Sequence, residues 1–291
     1  MSTHDHMPPD ALTLTPIGVI KSDYPDKFGI PRQPGLAPAA QASLVLLPPY
    51  DDPLAVRGLD DFSHIWLTFI FHLSPERGFT NSPGRGFTNS PGRGFKNSPE
   101  RGGKNSPERG GNNSPEHGPE KWSPLVRPPR LGGNAKVGVF ASRSTHRPNR
   151  LGLSLVELVD IDTRGGVRLH LKGADLVNGT PVLDIKPYLP WAEAHPEARA
   201  GFAPQAPVCL AVTFSDQAEV DLANHPHAAA LRELIVQVLA QDPRPGYRKG
   251  GDTRRYGVRL RDVDVRFSVS TTEGHETLVV EAIVSFNDIR Y

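Results

Sequence analysis

The chain has 291 residues, and its 33 Lys and Arg against 32 Asp and Glu give a formal net charge of +1. This balance excludes a strong overall attraction to nucleic acid or to membranes, so any basic surface must be a local patch. A single cysteine, Cys209, excludes an internal disulfide framework and a cysteine-cluster zinc site, and we predict no metal centre.

The N-terminal sequence predicts a disordered tail over residues 1–12, because this stretch is polar and lacks an apolar periodicity. It also lacks the basic and apolar regions of a signal peptide, so we expect a cytoplasmic protein. The longest apolar run, Ile65–Leu73, is interrupted by Thr68 and His72 and is too short to span a bilayer. We therefore expect no membrane association.

Short runs rich in β-branched and aromatic residues recur along the first two thirds of the chain, separated by Gly and Pro. They predict strands at Ile17–Ile20, Ser43–Leu47, His64–Leu73, Lys136–Ala141, Ser154–Ile161, Val167–Leu171 and Val182–Ile185. No helix of ordinary length is expected before residue 220. This pattern favours a mainly β fold, an antiparallel barrel or sandwich, over residues 13–196.

An octapeptide repeat interrupts this domain over residues 74–121, beginning SPERGFTN, SPGRGFTN, SPGRGFKN. Its 48 residues contain 10 Gly, 7 Pro and only three Phe as apolar residues. Such a segment cannot bury enough apolar surface to offset its chain entropy, so the composition predicts a disordered insertion. We interpret the insertion as a neutral tandem duplication, which a surface loop tolerates. The alternative is a functional segment that tethers or shields a binding site.

The sequence changes character after Pro190 and predicts a small α+β domain over residues 204–291. A strand is expected at Val208–Phe214, with Cys209 as a small core residue. Apolar residues at helical spacing predict a helix over 227–240, which two prolines end. Further strands are expected over 256–269 and 278–289.

Several loops combine Gly and Pro with arginine, whereas the common nucleotide-binding and hydrolase motifs are missing from the sequence. Five arginines occur in two such loops, namely Arg127, Arg130, Arg143, Arg147 and Arg150. Guanidinium groups suit phosphates, carboxylates and base faces. Asp242–Gly251 places an aromatic ring among cations, which is typical of a single-strand nucleic-acid contact, although a solvated basic turn has the same composition.

These loops together resemble one family. The segments KFGIPRQPGL, WSPLVRPPRLGGN, VGVFASRSTHRPN, GLSLVEL, DLVNGTPVLDIKPYLP and QDPRPGYRKG are similar to those of the TsaA-like, S-adenosylmethionine-dependent tRNA methyltransferases. The resemblance implies an antiparallel β-barrel methyltransferase that forms a homodimer. It implies methylation of N6 of threonylcarbamoyladenosine beside the anticodon of tRNA. The last segment belongs to a C-terminal module that many TsaA-like proteins lack, and it points to the enzyme that acts on tRNA.

The resemblance also implies which residues bind S-adenosylmethionine. They are Gln33, Pro34, Gly35, His72, Leu73, Arg143, Leu153, Lys172, Gly173, Ala174 and Asp175. Three features depart from the family pattern: Leu73 where Gln is frequent, Arg150 where Pro is common, and the repeat that begins at residue 74.

The chemistry requires a hydrogen-bond acceptor or base near N6, because the urea-type carbonyl makes this nitrogen a poor nucleophile. We predict Asp184 and Tyr188 as catalytic residues, although Asp184 has a structural alternative in a turn or a pair with Lys186. The predicted contacts with the anticodon arm of tRNA are Arg244, Tyr247, Arg248 and Lys249. There are two alternative functions: a tRNA-binding module without catalysis, and a methyltransferase that acts on another substrate.

Overall fold

The described part of the chain is built around two main β-sheets. The computed structural model describes residues 13–73, 123–132, 135–244 and 254–286. The strands in chain order are β1 Gly18–Ser22, β2 Gln41–Leu46, β3 His64–Ile70, β4 Leu125–Val126, β5 Val137–Gly138, β6 Leu151–Asp162, β7 Arg168–Lys172, β8 Pro181–Pro187, β9 Ala211–Phe214, β10 Tyr256–Leu260, β11 Val263–Thr272 and β12 His275–Ser285. The helices are α1 Pro190–Glu193, α2 Asp216–Ala223 and α3 Ala228–Ala240.

Six strands close into an antiparallel barrel in the order β1-β2-β7-β6-β3-β8, with β8 pairing back to β1. Alternate residues of each strand point inward, as the burial pattern iBiBiBi of β3 shows. The inward side chains form one apolar core that includes Ile20, Leu44, Ile65 and Leu169. Closure removes the unpaired edges that an open sheet of these short strands would expose. The fold class predicted from the sequence is confirmed.

Gly152 in β6 makes room for a large core residue. A Cβ atom at this position would lie 2.3 Å from Cζ of Phe69 on the neighbouring strand β3. The Phe69 ring therefore packs directly over the β6 backbone, and it also meets Phe71 edge-to-face with ring centroids 5.1 Å apart. The aromatic end of β3 is thus fixed against the start of β6.

The second sheet has the order β10-β11-β12-β9, with β9 parallel to β12 and the other pairs antiparallel. Helices α2 and α3 pack on it, and their apolar residues share a second core with the strands. Both sheets belong to one compact unit of the chain. Strands β4 and β5 form a separate two-stranded ribbon.

Four local predictions were wrong. Helix α2 was not predicted, because only Ala218 and Leu222 are buried in its eight residues; its N-cap is Ser215, whose hydroxyl accepts the Ala218 N–H at 3.2 Å. The strand predicted over 256–269 is a hairpin, β10 and β11, which turns at Arg261 with φ 52°.

The other two differences concern segments that leave a sheet early. The strand predicted from Lys136 ends at Gly138, and a 3₁₀ turn covers Val139–Ala141. Cys209 is exposed rather than buried, because the chain joins the sheet only at Ala211.

The predicted N-terminal tail, residues 1–12, and the octapeptide repeat, residues 74–121, lie outside the described residues. Within the described ranges, no helix combines the length and the apolar character needed to cross a bilayer.

Candidate cofactor site at one rim of the barrel

Strand direction brings the predicted cofactor residues to the same end of the barrel. Because neighbouring strands are antiparallel, the ends of β1, β3 and β7 and the starts of β2, β6 and β8 form one rim. The segments that carry the eleven predicted residues are the β1–β2 loop, the residues after β3, the loop before β6 with the start of β6, and the end of β7 with the β7–β8 loop. The sequence distances between them are large, but the fold makes them neighbours.

The β1–β2 and β7–β8 loops touch through two glycines. The Gly35 N–H donates to the Gly173 carbonyl at 2.8 Å, and the Gly173 N–H donates to the Ala40 carbonyl at 3.0 Å. Both glycines have positive φ, 77° and 66°. A Cβ at Gly173 would lie 3.3 Å from the Gly35 Cα, so these backbones approach more closely than side chains would permit.

Asp175 connects the β7–β8 loop to β6. Its carboxylate accepts a hydrogen bond from the Ser154 hydroxyl at 2.6 Å, directly beside Leu153. Burial raises the pKa of Asp175 above its ordinary value; the Ser154 hydrogen bond, a backbone hydrogen bond and the positive charge of Arg143 oppose this effect. Arg143 is itself exposed, so its guanidinium faces solvent near this carboxyl.

His72 and Leu73 follow β3 at the same rim. The Leu73 carbonyl accepts a hydrogen bond from the Lys27 ammonium of the β1–β2 loop. Burial lowers the pKa of His72, and the Lys27 charge adds to this effect while the Ile70 backbone opposes it. The Nδ1 atom of His72 is buried and has no hydrogen-bond partner among the described residues. The imidazole is therefore neutral near pH 7.

The β7–β8 loop is fixed by bonds to the end of β1 that the sequence analysis did not anticipate. The Asn178 N–H donates to the Tyr24 carbonyl and the Gly179 N–H to the Ile20 carbonyl, both at 2.8 Å. Ser154 was missed as well. A polar residue at an inward position of the apolar segment LGLSLVEL was the available signal, because a buried hydroxyl requires a partner.

Of the two residues predicted as catalytic, Asp184 lies on the barrel wall level with Leu153, and Tyr188 lies at the opposite end of β3. A β-bulge at Leu183, where Thr68 pairs with Asp184 and Phe69 with Val182, turns Asp184 outward, and its side chain is exposed. Asp184 and Leu153 both pair with Thr68, so they are two strands apart on the barrel surface, about 10 Å at ordinary strand spacing.

Tyr188 lies further away, at the opposite end of β3. Its N–H donates to the His64 carbonyl at 3.0 Å, and its ring meets Trp66 edge-to-face at 6.1 Å. A groove of about 490 Å³ lies at this opposite end and is lined by Asp184 and Pro187 among others. None of the eleven predicted cofactor residues lines it.

Arg244, which we predicted as a tRNA contact, is buried in the C-terminal domain. Its side chain is 0% exposed and forms ion pairs with Asp242 at 2.8 Å and Glu276 at 2.7 Å. In this structure the guanidinium offers no surface to a phosphate; it instead ties the start of the α3–β10 connection to β12. Tyr247, Arg248 and Lys249 lie outside the described residues.

The structure is that of a two-domain protein of the β-barrel class, in which a closed antiparallel barrel is followed by an α+β domain. Family models show the same division. The tRNA-methyltransferase O N-terminal domain matches residues 19–102 and 113–194, and the TrmO C-terminal domain matches residues 207–285. The chain belongs to the tRNA-methyltransferase O family, which confirms the resemblance found in the sequence.

Relatives match over nearly the whole length. The tRNA (adenine(37)-N6)-methyltransferase of Escherichia coli K12 is 44% identical over 91% of this chain and 96% of its own. A putative S-adenosylmethionine-dependent methyltransferase, RcsF, of Pseudomonas aeruginosa is 44% identical over 88% of this chain and 91% of its own. The crystal structure of TrmO from Pseudomonas aeruginosa superposes with a TM-score of 0.64 at 36% identity, covering 94% and 99% of the two chains.

Proposed function

We propose that the protein transfers a methyl group from S-adenosylmethionine to N6 of the adenosine at position 37 of tRNA, in its threonylcarbamoylated form. The observation that carries this proposal is the meeting of the predicted cofactor segments at one rim, in a chain whose two domains both match the tRNA-methyltransferase O family. The names of the relatives from Escherichia coli and Pseudomonas aeruginosa support both the substrate and the methyl donor.

The rim residues suit the charges of S-adenosylmethionine. The exposed guanidinium of Arg143 can bind a carboxylate, and the carboxyl of Asp175 can attract a cation. A Cβ at Gly35 would meet no atom within 4 Å, so open space lies beside this backbone. Leu153, 50% exposed, adds apolar surface beside these polar groups. The bound cofactor supplies a methyl group activated by its sulfonium.

Asp175 responds to the charge of what binds beside it. Its pKa is raised in the free protein mainly by burial, so an approaching cation favours the ionised carboxylate and offsets the desolvation. The Ser154 hydroxyl already donates to one carboxylate oxygen and holds the group in place. Asp175 thus contributes more to the binding of a positively charged ligand than to the binding of a neutral one.

The methyl acceptor needs a group that takes its proton or accepts a hydrogen bond from N6. Asp184 and Tyr188 stay our sequence prediction for this role; Asp184 lies two strands from Leu153, and Tyr188 lies at the opposite end of β3. His72 is at the rim, and the lowering of its pKa by burial leaves the imidazole neutral and able to accept a proton. We propose that His72 supplements or replaces them.

The C-terminal domain supplies the proposed tRNA surface. Tyr247, Arg248 and Lys249 are the proposed contacts with the anticodon arm. Arg244 acts indirectly, since its buried ion pairs with Asp242 and Glu276 hold the chain at the start of this basic segment. We also propose a homodimer in the cytoplasm; exposed apolar side chains such as Phe140 and Trp191, 69% and 84% exposed, are compatible with a further protein contact.

The decisive experiment measures methyl transfer from labelled S-adenosylmethionine to purified tRNA with and without the threonylcarbamoyl group. We expect transfer only to the threonylcarbamoylated tRNA, and a loss of about tenfold or more in Arg143→Ala because a charge-assisted contact is removed. Arg164→Ala is the matched control, since this arginine is exposed and pairs only locally with Asp162. Binding of tRNA without binding of S-adenosylmethionine would instead identify an inactive tRNA-binding module.

A further inference from the structure

The cofactor loop between β1 and β2 packs against the C-terminal domain. Tyr24, Ala37 and Ala40 of this loop are almost fully buried, at 1%, 2% and 1% exposure. They belong to the apolar core formed by α3 and strands β10–β12, not to the barrel core. The segment that carries Gln33, Pro34 and Gly35 therefore starts and ends in the core of the other domain.

A bidentate ion pair fixes the beginning of the loop. Arg261 donates from Nε to Oδ1 of Asp23 at 3.0 Å and from Nη2 to Oδ2 at 3.2 Å. The Arg261 N–H also donates to the Asp23 carbonyl at 2.8 Å. Both side chains are less than 20% exposed, so solvent weakens this pair less than a surface pair. The carboxylate also accepts the Gln41 N–H at 2.9 Å, which joins the pair to the start of β2.

Apolar contacts fix the middle of the loop. Gly29 has φ 93°, and a Cβ there would lie 2.1 Å from Cγ2 of Val258 in β10. The neighbouring Phe28 ring stacks on Tyr256 with centroids 6.4 Å apart, and Tyr256 stacks on Phe267 at 5.5 Å. The loop backbone thus lies directly on the sheet, at a distance that only glycine permits.

Two glutamines, Gln237 in α3 and Gln241 directly after it, fix the end of the loop. The Gln237 side-chain carbonyl accepts the Ala39 N–H at 2.7 Å, and the Gln241 side chain donates to the Leu36 carbonyl at 3.4 Å. Leu36 directly follows Gly35, whose N–H contacts Gly173 on the opposite side. The predicted cofactor tripeptide is therefore held between the β7–β8 loop and the C-terminal domain.

We propose that the C-terminal domain is a structural part of the cofactor site, in addition to its proposed contact with tRNA, and that Arg261 is a positioning residue for S-adenosylmethionine. The inference rests on the proposed function, since it assigns the loop to that cofactor. A loop held at its start, middle and end loses little entropy when a ligand binds, so releasing one attachment weakens binding. Arg261 acts through the β1–β2 loop and does not touch the ligand.

The test uses the full-length protein and the variants Arg261→Ala and Arg261→Lys, with S-adenosylmethionine and tRNA titrated separately by calorimetry. We expect Arg261→Ala to raise the Kd for S-adenosylmethionine about tenfold, equivalent to about 1.4 kcal/mol. Its Kd for tRNA changes less than about twofold. Arg261→Lys restores part of the affinity, because an ammonium keeps the charge but not both contacts of the fork. In steady-state kinetics the KM for S-adenosylmethionine rises and the KM for tRNA does not.

Arg232→Ala is the matched control. Arg232 pairs with Glu219 on the same domain, away from the loop, and its side chain is 41% exposed. Unchanged cofactor affinity in Arg261→Ala, or an equal loss of affinity in Arg232→Ala, overturns the inference. An effect on tRNA affinity as large as that on cofactor affinity also overturns it, because Arg261 would then act on the substrate. If the alanine variant does not fold, the lysine variant gives the same comparison.

Amide hydrogen exchange over residues 23–40, measured without ligands, separates this inference from the proposed function. Faster exchange in Arg261→Ala than in the unmodified protein shows that the ion pair holds the loop, whatever the ligand. If the unmodified protein does not bind S-adenosylmethionine, the proposed function fails even where exchange changes. If it does bind and exchange is equal in both proteins, the function stands and the inference fails.

Discussion

Asp175 shows how the environment of one residue sets both the stability and the chemistry of the site. Its carboxyl has Ser154 as a hydrogen-bond donor at 2.6 Å, while burial raises its pKa above the ordinary value of 3.8. Folding therefore favours the protonated form. The stability that this carboxyl contributes is present below its ordinary pKa and is lost as the pH rises through the raised pKa.

We predict that Asp175→Asn increases the free energy of unfolding by about 1–3 kcal/mol near pH 8, because a buried charge is replaced by a neutral acceptor for Ser154. The gain shrinks as the pH falls toward about 4, where the native carboxyl is also protonated. The same variant binds S-adenosylmethionine more weakly, since the negative charge is missing. Urea unfolding at several pH values and calorimetry measure both effects.

Asp162→Asn is the control, because the pKa of this carboxyl is shifted in the opposite direction to that of Asp175. The side-chain hydrogen bond from Arg164 holds the pKa of this exposed carboxyl below its ordinary value. The variant is therefore not stabilised at high pH and leaves cofactor binding unchanged. An Asp175→Asn variant that lost stability at every pH would contradict the assignment of a costly buried charge.

At the scale of elements, the site is made where two loops from different parts of the chain share backbone contacts. The Gly35 N–H and the Gly173 carbonyl are 2.8 Å apart, although the two residues are far apart in the sequence.

We predict that Gly173→Ala lowers the free energy of unfolding by about 1–2 kcal/mol, because a side chain at φ 66° is strained. The variant should also bind S-adenosylmethionine more weakly, because the new Cβ pushes the loops apart.

Gly165→Ala separates these two causes. Gly165 has a similar φ of 73°, but a Cβ there meets no atom within 4 Å. The control variant should lose comparable stability and keep its full affinity for the cofactor, as measured by thermal unfolding and calorimetry. Equal affinities in both variants would show that the contact between the loops does not shape the site.

The elements also show why the two residues predicted as catalytic do not lie in a rim loop. From the sequence, Asp184 and Tyr188 belong to a segment, DLVNGTPVLDIKPYLP, whose first residue, Asp175, is at the site. The segment continues as strand β8, which carries the chain away from the rim at about 3.3 Å per residue. The bulge at Leu183 then sets the direction of Asp184. Neither the distance nor the bulge can be obtained from residue types.

At the scale of the whole molecule, two domains that the sequence separates by an Ala- and Pro-rich connection share one apolar core around the β1–β2 loop. Removal of residues 204–291 is therefore not a clean test of tRNA binding, since it also exposes Tyr24, Ala37 and Ala40. Single substitutions such as Arg261→Ala separate the two roles better than truncation.

The octapeptide repeat gives a prediction about the whole chain. We propose that it is a neutral insertion, and we expect replacement of residues 76–120 by a short Gly-Ser linker to leave methyl transfer and thermal unfolding unchanged. The physical reason is that loop-closure entropy changes by only about 0.6 kcal/mol for each doubling of length. A loss of cofactor affinity in this variant, with the fold intact, would instead support the tether over the neighbouring His72 and Leu73.

Local patterns determined much of this protein. The alternation of β-branched residues predicted the barrel strands, helical spacing predicted α3, and the loop motifs predicted the family, because these signals depend on neighbours in the chain. Only the tertiary structure decided which loops meet at the rim, that Arg244 is buried between two carboxylates, and that the β1–β2 loop rests on the C-terminal sheet. Those features depend on barrel closure and domain packing, which join residues that local sequence patterns do not connect.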